Sequence, residues 1–130
     1  MTRSEPRPID VLTLLGERQP MEGLLRELHN QGIRVDVAHS LGDARTLFFG
    51  AGGHDCLVVA PDVGPGLASR VLNSLRTVDP ELPTASFGPA LRGQEAPTRT
   101  AHLAAFHPGS RAGAGALLRF LRNLQQRGAD

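Results

Sequence analysis

The chain has 130 residues, enough for one domain with its own hydrophobic core. Hydrophobic residues make up 40% and charged residues 21%, as in ordinary soluble proteins, and the formal net charge of +1 argues against nucleic acid or an anionic membrane as a partner. All 14 basic residues are Arg, which excludes any chemistry that needs a lysine, such as a Schiff base or a phosphate-loop lysine.

The sequence carries few residues or segments that would indicate a metal site or a particular cellular compartment. Cys56 is the single cysteine, so the chain can form neither an intrachain disulfide nor a zinc cluster built on several cysteines. The five His residues show no HxH or HExxH spacing, and we expect no metal and no cofactor. The N-terminal residues contain no apolar signal segment, and no run approaches 18 apolar residues, so we expect a cytoplasmic protein.

Strand and helix patterns alternate along the whole chain. Short apolar or alternating runs predict five strands, at residues 9–15, 33–38, 56–60, 83–87 and 101–106. Apolar residues at helical spacing predict helices at residues 20–31, 41–49, 67–78 and 112–126. Gly93 and Pro97 interrupt residues 89–99, where any further helix is short or irregular. We expect a flexible lead at 1–8, one domain at 9–126 and a C-terminal tail at 127–130.

Five strand–helix units joined by short links predict an α/β fold, in which an open parallel sheet carries helices on both faces. Ligands of such folds bind beyond the carboxyl ends of the strands. The residues at those ends are therefore the ones to examine for function, and they are 15–17, 60–63, 87–89 and 106–108.

The order and spacing of these elements resemble the response-regulator receiver family. The resemblance runs from Ile9 to Leu124. It rests first on local features: a strand that ends before Leu15-Gly16, a helix that ends at Gly32, and His107-Pro108 at the end of the fifth strand. It rests also on spacing: Ala60 follows Gly32 by 28 residues, and residues 60–83 follow the receiver pattern without an insertion or deletion. The resemblance implies a flavodoxin-like, doubly wound (βα)5 domain with a five-stranded parallel sheet. It also implies a cis peptide between His107 and Pro108.

The same resemblance implies a phosphorylation site that this chain does not carry. Receivers bind Mg²⁺ with acidic residues after the first and third strands, phosphorylate the third-strand aspartate, and contact the phosphoryl group with a hydroxyl and a lysine. An aromatic residue on the fifth strand reports the switch. The corresponding positions here are Leu15 and Gly16 (acidic pair), Ala60 (acceptor), Gly88 (hydroxyl), Ala104 (aromatic) and His107 (lysine). We therefore expect a degenerate member, a pseudo-receiver that is not an enzyme and works independently of phosphorylation.

Three side chains near these positions have alternative interpretations. Glu17 and Asp62 could rebuild a metal site, but a shift of two residues moves a carboxylate by about 6 Å, and Mg²⁺ demands near-ideal octahedral geometry. We favour solvated loop carboxylates, or a turn role for Asp62. His107 could bind an anion in place of the lysine, or it could hydrogen-bond a loop carbonyl at the strand end, which we favour.

The resemblance implies a bacterial two-component signalling module, and we expect it to dock a protein partner. By resemblance, docking uses an output face formed by the last two strand–helix units, here residues 91–99, 101–106 and 112–124. Five arginines concentrate there and suit an acidic partner: Arg92, Arg99, Arg111, Arg119 and Arg122. In a chain without lysine the same arginines could simply solvate the surface, and that alternative stays open. The output face could also join two copies as a homodimer.

A second hypothesis uses the vacated phosphorylation pocket. Gly16, Ala60, Gly88 and Ala104 are small, so the pocket could stand open and bind a small molecule or an anion beside backbone amides and His107. A filled pocket would count against this hypothesis.

Overall fold

The computed structural model describes residues 9–16, 22–87, 100–102 and 111–129. In chain order the elements are β1 (Asp10–Leu14), α1 (Glu22–Asn30), β2 (Arg34–Ala38), α2 (Leu41–Gly50), β3 (Cys56–Val59), α3 (Pro65–Arg76), β4 (Thr84–Ser86), β5 (Thr100–His102) and α4 (Arg111–Ala129). None of the helices in these residues is long and apolar enough to cross a membrane.

The five strands form one sheet in the order β2-β1-β3-β4-β5, and every neighbouring pair is parallel. This is the flavodoxin-like strand order, in which the connection reverses direction between β1 and β3. Helix α1 contacts α4, and α2 contacts α3. The sheet is therefore covered by helices on both faces, as right-handed crossovers require. The fold class predicted from the sequence is confirmed.

The core lies on both sides of the middle strand. All four residues of β3 are buried, and so are Leu12 and Leu14 of β1. A continuous apolar run such as CLVV suits a parallel strand covered on both faces. The helices add stripes of buried apolar side chains at helical spacing, namely Leu24 and Leu28, Ala44 and Phe48, Val71 and Leu75, and Leu117 and Leu121.

A buried histidine ties β2 to α2 within this core. The side chain of His54 is 1% exposed, and its Nε2 lies 2.8 Å from Asp36 Oδ2. Its ring stacks on Phe48, with 5.7 Å between the ring centroids. The carboxylate satisfies Nε2, whereas Nδ1 of the same ring is buried without a hydrogen-bond partner in the described part of the chain. Hydrophobic periodicity could not predict the pair of His54 and Asp36, because the two residues are 18 positions apart in the sequence.

Helix boundaries follow local capping chemistry. The Ser40 hydroxyl accepts the Asp43 N–H at 3.1 Å, so α2 begins where the sequence predicts. Helix α3 begins at Pro65, two residues before the predicted start, because proline is accommodated in the first helical turn and Gly64 serves as the N-cap. Helix α4 extends to Ala129, so residues 127–129 continue the helix instead of forming a separate tail.

Several predicted features fall outside the described residues. They are the lead at 1–8, the irregular segment 89–99, the end of the fifth strand at 103–106, and the cis peptide between His107 and Pro108.

Candidate functional site

The carboxyl ends of β1 and β3 meet at one edge of the sheet. The Leu15 N–H donates to the Ala38 carbonyl at 3.0 Å, and the Ala60 N–H donates to the Leu14 carbonyl at 2.9 Å. These bonds extend the parallel ladder by one residue beyond each strand. Leu15 and Ala60 therefore lie side by side at the carboxyl ends of β1 and β3.

Both of these positions belong to the hydrophobic core. Leu15 and Ala60 are each 0% exposed, and both are members of the buried apolar cluster. Phe87, which follows β4 at the same edge, is also 0% exposed. Apolar side chains thus fill the sheet edge at three successive strand ends. Ala60 therefore contributes no exposed surface at this edge, and the other expected lining residues of the vacated pocket, Gly88, Ala104 and His107, lie outside the described residues.

Asp62 contacts the second acidic position directly. The Gly16 N–H donates to Asp62 Oδ1 at 3.1 Å, across 46 residues of sequence. A Cβ built on Gly16 would lie 2.9 Å from Asp62 Oδ2 and 3.2 Å from Cγ, so the close approach of the carboxylate requires glycine. The sequence favoured a solvated loop carboxylate or a turn role for Asp62, and Asp62 is exposed in the turn after β3. Its carboxylate also ties this turn to the end of β1, which the sequence did not indicate.

His39 completes this edge and was missed by the sequence reasoning. Its Nδ1 lies 3.1 Å from the Leu15 carbonyl oxygen and 3.2 Å from the Gly16 carbonyl oxygen. Two carbonyl acceptors assign the proton to Nδ1, which donates to both. The backbone N–H of His39 donates to Asp43 Oδ2 at 3.2 Å. The position of His39 directly after β2 could have indicated its place at the same edge.

This arrangement does not provide a nucleophile or a metal cage in the described part of the chain. No group of three or more His, Cys, Asp or Glu residues is placed to hold a metal ion there. Cys56 is fully buried in β3, and burial raises the pKa of its thiol far above the usual value, so the reactive thiolate does not form. The polar groups at this edge form hydrogen bonds with one another, and these bonds join the loops that follow β1, β2 and β3.

The structure describes part of the predicted output face. Arg119 and Arg122 are both exposed on α4. The Arg122 Nη2 donates to Gln31 Oε1 at 2.8 Å, so this side chain lies over the junction of α4 with the end of α1. The side chain of Arg111 and all of Arg92 and Arg99 lie outside the described residues. Two of the five arginines are thus placed on one exposed helix surface.

We predict that Gly16 and Asp62 are energetically coupled. Asp62→Ala removes one charge-assisted hydrogen bond, while Gly16→Ala forces the carboxylate away from the amide. Once Asp62 is truncated the added Cβ meets less resistance, so the double variant should cost about 1 kcal/mol less than the sum of the single variants. Urea unfolding of the four proteins measures the coupling. Strictly additive effects would show that the contact contributes nothing.

Comparison with known proteins finds likeness at the level of the fold. No protein-family model matches the chain, and no curated protein matches it. The crystal structure of a response regulator receiver protein from Sinorhizobium medicae WSM419 is similar, with a TM-score of 0.70 and 16% identity over 92% of this chain and 95% of that one. A receiver domain protein from Clostridium thermocellum is similar with a TM-score of 0.70 and 14% identity, over 93% and 97% of the two chains. The chain therefore has the fold of these receiver domains.

Proposed function

We propose that the chain is a pseudo-receiver, a non-catalytic signalling module that binds a protein partner without phosphorylation. The observation that carries this proposal is the burial of apolar side chains at the carboxyl ends of β1 and β3. Leu15 and Ala60 are buried where receivers need carboxylates, and the Gly16 amide is bonded to Asp62. A site filled with apolar side chains cannot recruit Mg²⁺, which requires several oxygen ligands. The fold then remains as a scaffold for binding. We propose a bacterial origin, because both similar structures come from bacteria, and a cytoplasmic location.

The surface we assign to docking is the output face, with Arg119 and Arg122 at its described part. Both residues are exposed on α4 and three positions apart, so they lie on one side of the helix, and the Arg122 guanidinium also donates to Gln31. Arginine forms bidentate hydrogen bonds with carboxylates, which favours an acidic partner segment. The burial of Leu15 and Ala60 disfavours the competing hypothesis of a small-molecule or anion sensor, because these two residues offer no exposed surface to a ligand.

The first test is an amide NMR titration with Mg²⁺ and beryllofluoride, which stands in for a phosphoryl group. We expect no saturable shifts at Leu15, Gly16 or Ala60, because no carboxylate at positions 15 or 60 is available to hold the metal. A phosphorylatable receiver domain titrated under the same conditions is the positive control. Saturable shifts at these amides would contradict phosphate independence and would favour the anion-sensor hypothesis.

The second test addresses docking. Affinity capture from a cell extract with the whole chain as bait should retain an acidic partner, and Arg119→Glu combined with Arg122→Glu should weaken retention by about tenfold or more. The matched control is Arg45→Glu with Arg70→Glu, which makes the same charge change on exposed positions of α2 and α3. Equal loss with both pairs would point to non-specific charge effects. Unchanged retention with the α4 pair would exclude the output face.

A further inference from the structure

The outer side of β2 is a free strand edge within the described part of the chain. β2 stands at one end of the strand order and pairs there with β1. The Arg34 N–H donates to the Ile9 carbonyl at 2.9 Å, and the Ala38 carbonyl accepts the Leu15 N–H at 3.0 Å. Peptide groups point to alternate sides along a strand. Those of Val35 and Val37 therefore point away from the sheet, with no strand beside them in the described residues.

The side chains of this edge are self-complementary. Val35 and Val37 are half-buried, and they keep apolar surface at the edge. Arg34 and Asp36 alternate with them on the other face, where their side chains are 74% and 47% exposed. Asp36 uses Oδ2 to bind His54. A cation and an anion two residues apart can form two ion pairs when the strand meets its own copy in antiparallel orientation.

We propose that two copies of the chain associate through β2, antiparallel, with Val35 opposite Val35 of the second copy. In this register the two Val35 residues exchange both peptide hydrogen bonds. Arg34 of each copy then lies opposite Asp36 of the other, in the closer, non-hydrogen-bonded type of pair. The two sheets join into one continuous sheet about a two-fold axis. This inference is independent of the proposed function, because it uses a different surface from the output face.

The charges of Arg34 and Asp36 favour the Val35 register over the two registers whose axes pass through Asp36 or Val37. An axis through Asp36 would place the two Asp36 carboxylates directly opposite each other, which is destabilising. An axis through Val37 would place Arg34 opposite Ser40 of the second copy, so no ion pair would form. The Val35 register is the one that satisfies the outward peptide groups and both charges. Since the contact is short, we expect weak association, with a dissociation constant on the order of 100 µM.

Cross-linking reads the register directly. In Val35→Cys the two thiols face each other across a pair whose Cα atoms are about 5.5 Å apart, a separation that a disulfide spans. Mild oxidation should then yield a covalent dimer. In the matched control, Val37→Cys, the two thiols lie opposite Ile33 of the other copy and out of reach, so the chain should stay monomeric. The native Cys56 is buried and does not compete.

Sedimentation equilibrium of the unmodified chain up to about 1 mM tests association without a cross-link. Arg34→Glu replaces both ion pairs with like charges and should weaken dimerisation by about tenfold or more. Arg45→Glu, the same charge change on α2, should leave it unchanged. A monomer at all concentrations, or a disulfide with Val37→Cys in place of Val35→Cys, would overturn the proposal. Urea unfolding verifies that each variant is folded.

Discussion

Leu15→Asp is expected to lower the free energy of unfolding by at least about 3 kcal/mol, although aspartate is the residue type that receivers use at this position. Leu15 is 0% exposed within the apolar cluster. The substitution removes buried apolar surface and places an unpaired carboxylate where water cannot reach it, and both changes destabilise the folded state. Urea unfolding followed by circular dichroism measures the effect.

The control for this prediction is Leu15→Met, which keeps the volume and the apolar character and should cost less than about 1.5 kcal/mol. If Leu15→Asp were tolerated as well as Leu15→Met, the edge would have to be open to water, and the burial of Leu15, on which the proposed function rests, would be wrong. Large destabilisation would instead show that a carboxylate at position 15 is incompatible with the buried surroundings of this side chain.

Phe48→Ala is expected to destabilise the fold by about 3–5 kcal/mol, because it leaves a large cavity between α2 and the sheet. Phe48 is 1% exposed, packs edge-on against Phe49 and stacks on His54. Losing the ring also removes the surface that holds the imidazole beside Asp36. Thermal or urea unfolding measures the loss, and one-dimensional NMR of the His54 ring protons would report any displacement of the imidazole.

The neighbouring residue supplies a matched control. Phe49 is 42% exposed on the same helix, and its ring is covered on one side by the Arg45 guanidinium at 5.7 Å. Phe49→Ala removes the same atoms from a site that water already reaches, so it should cost about 1 kcal/mol or less. Similar losses for the two variants would contradict the assignment of Phe48 to the core and of Phe49 to the surface.

The fold was largely predictable because its determinants are local. The run CLVV indicates a strand buried on both faces, and Ser40 followed by Asp43 marks the start of α2. Alternation of strand and helix patterns with short links then leaves few topologies. The predicted start of α3 at residue 67 was two residues late, because it was set by the first apolar residue of the helical stripe, whereas proline in the first turn and glycine at the N-cap already belong to the helix.

The sequence by itself determined which chemical groups this protein has at the strand ends: Leu15, Gly16 and Ala60 offer neither a nucleophile nor a metal ligand. Only the tertiary structure decided that Leu15 and Ala60 are buried and that polar contacts join the loops beside them. Asp62 reaches Gly16 across 46 residues, and His39 reaches the Leu15 carbonyl across 24. Likewise, only the pairing with β1 decides which peptide groups of β2 point outward. Hydrophobic periodicity reports which face of an element is buried, but not which atoms meet when parallel strands end side by side. Which atoms meet at the strand ends depends on the register of the whole sheet.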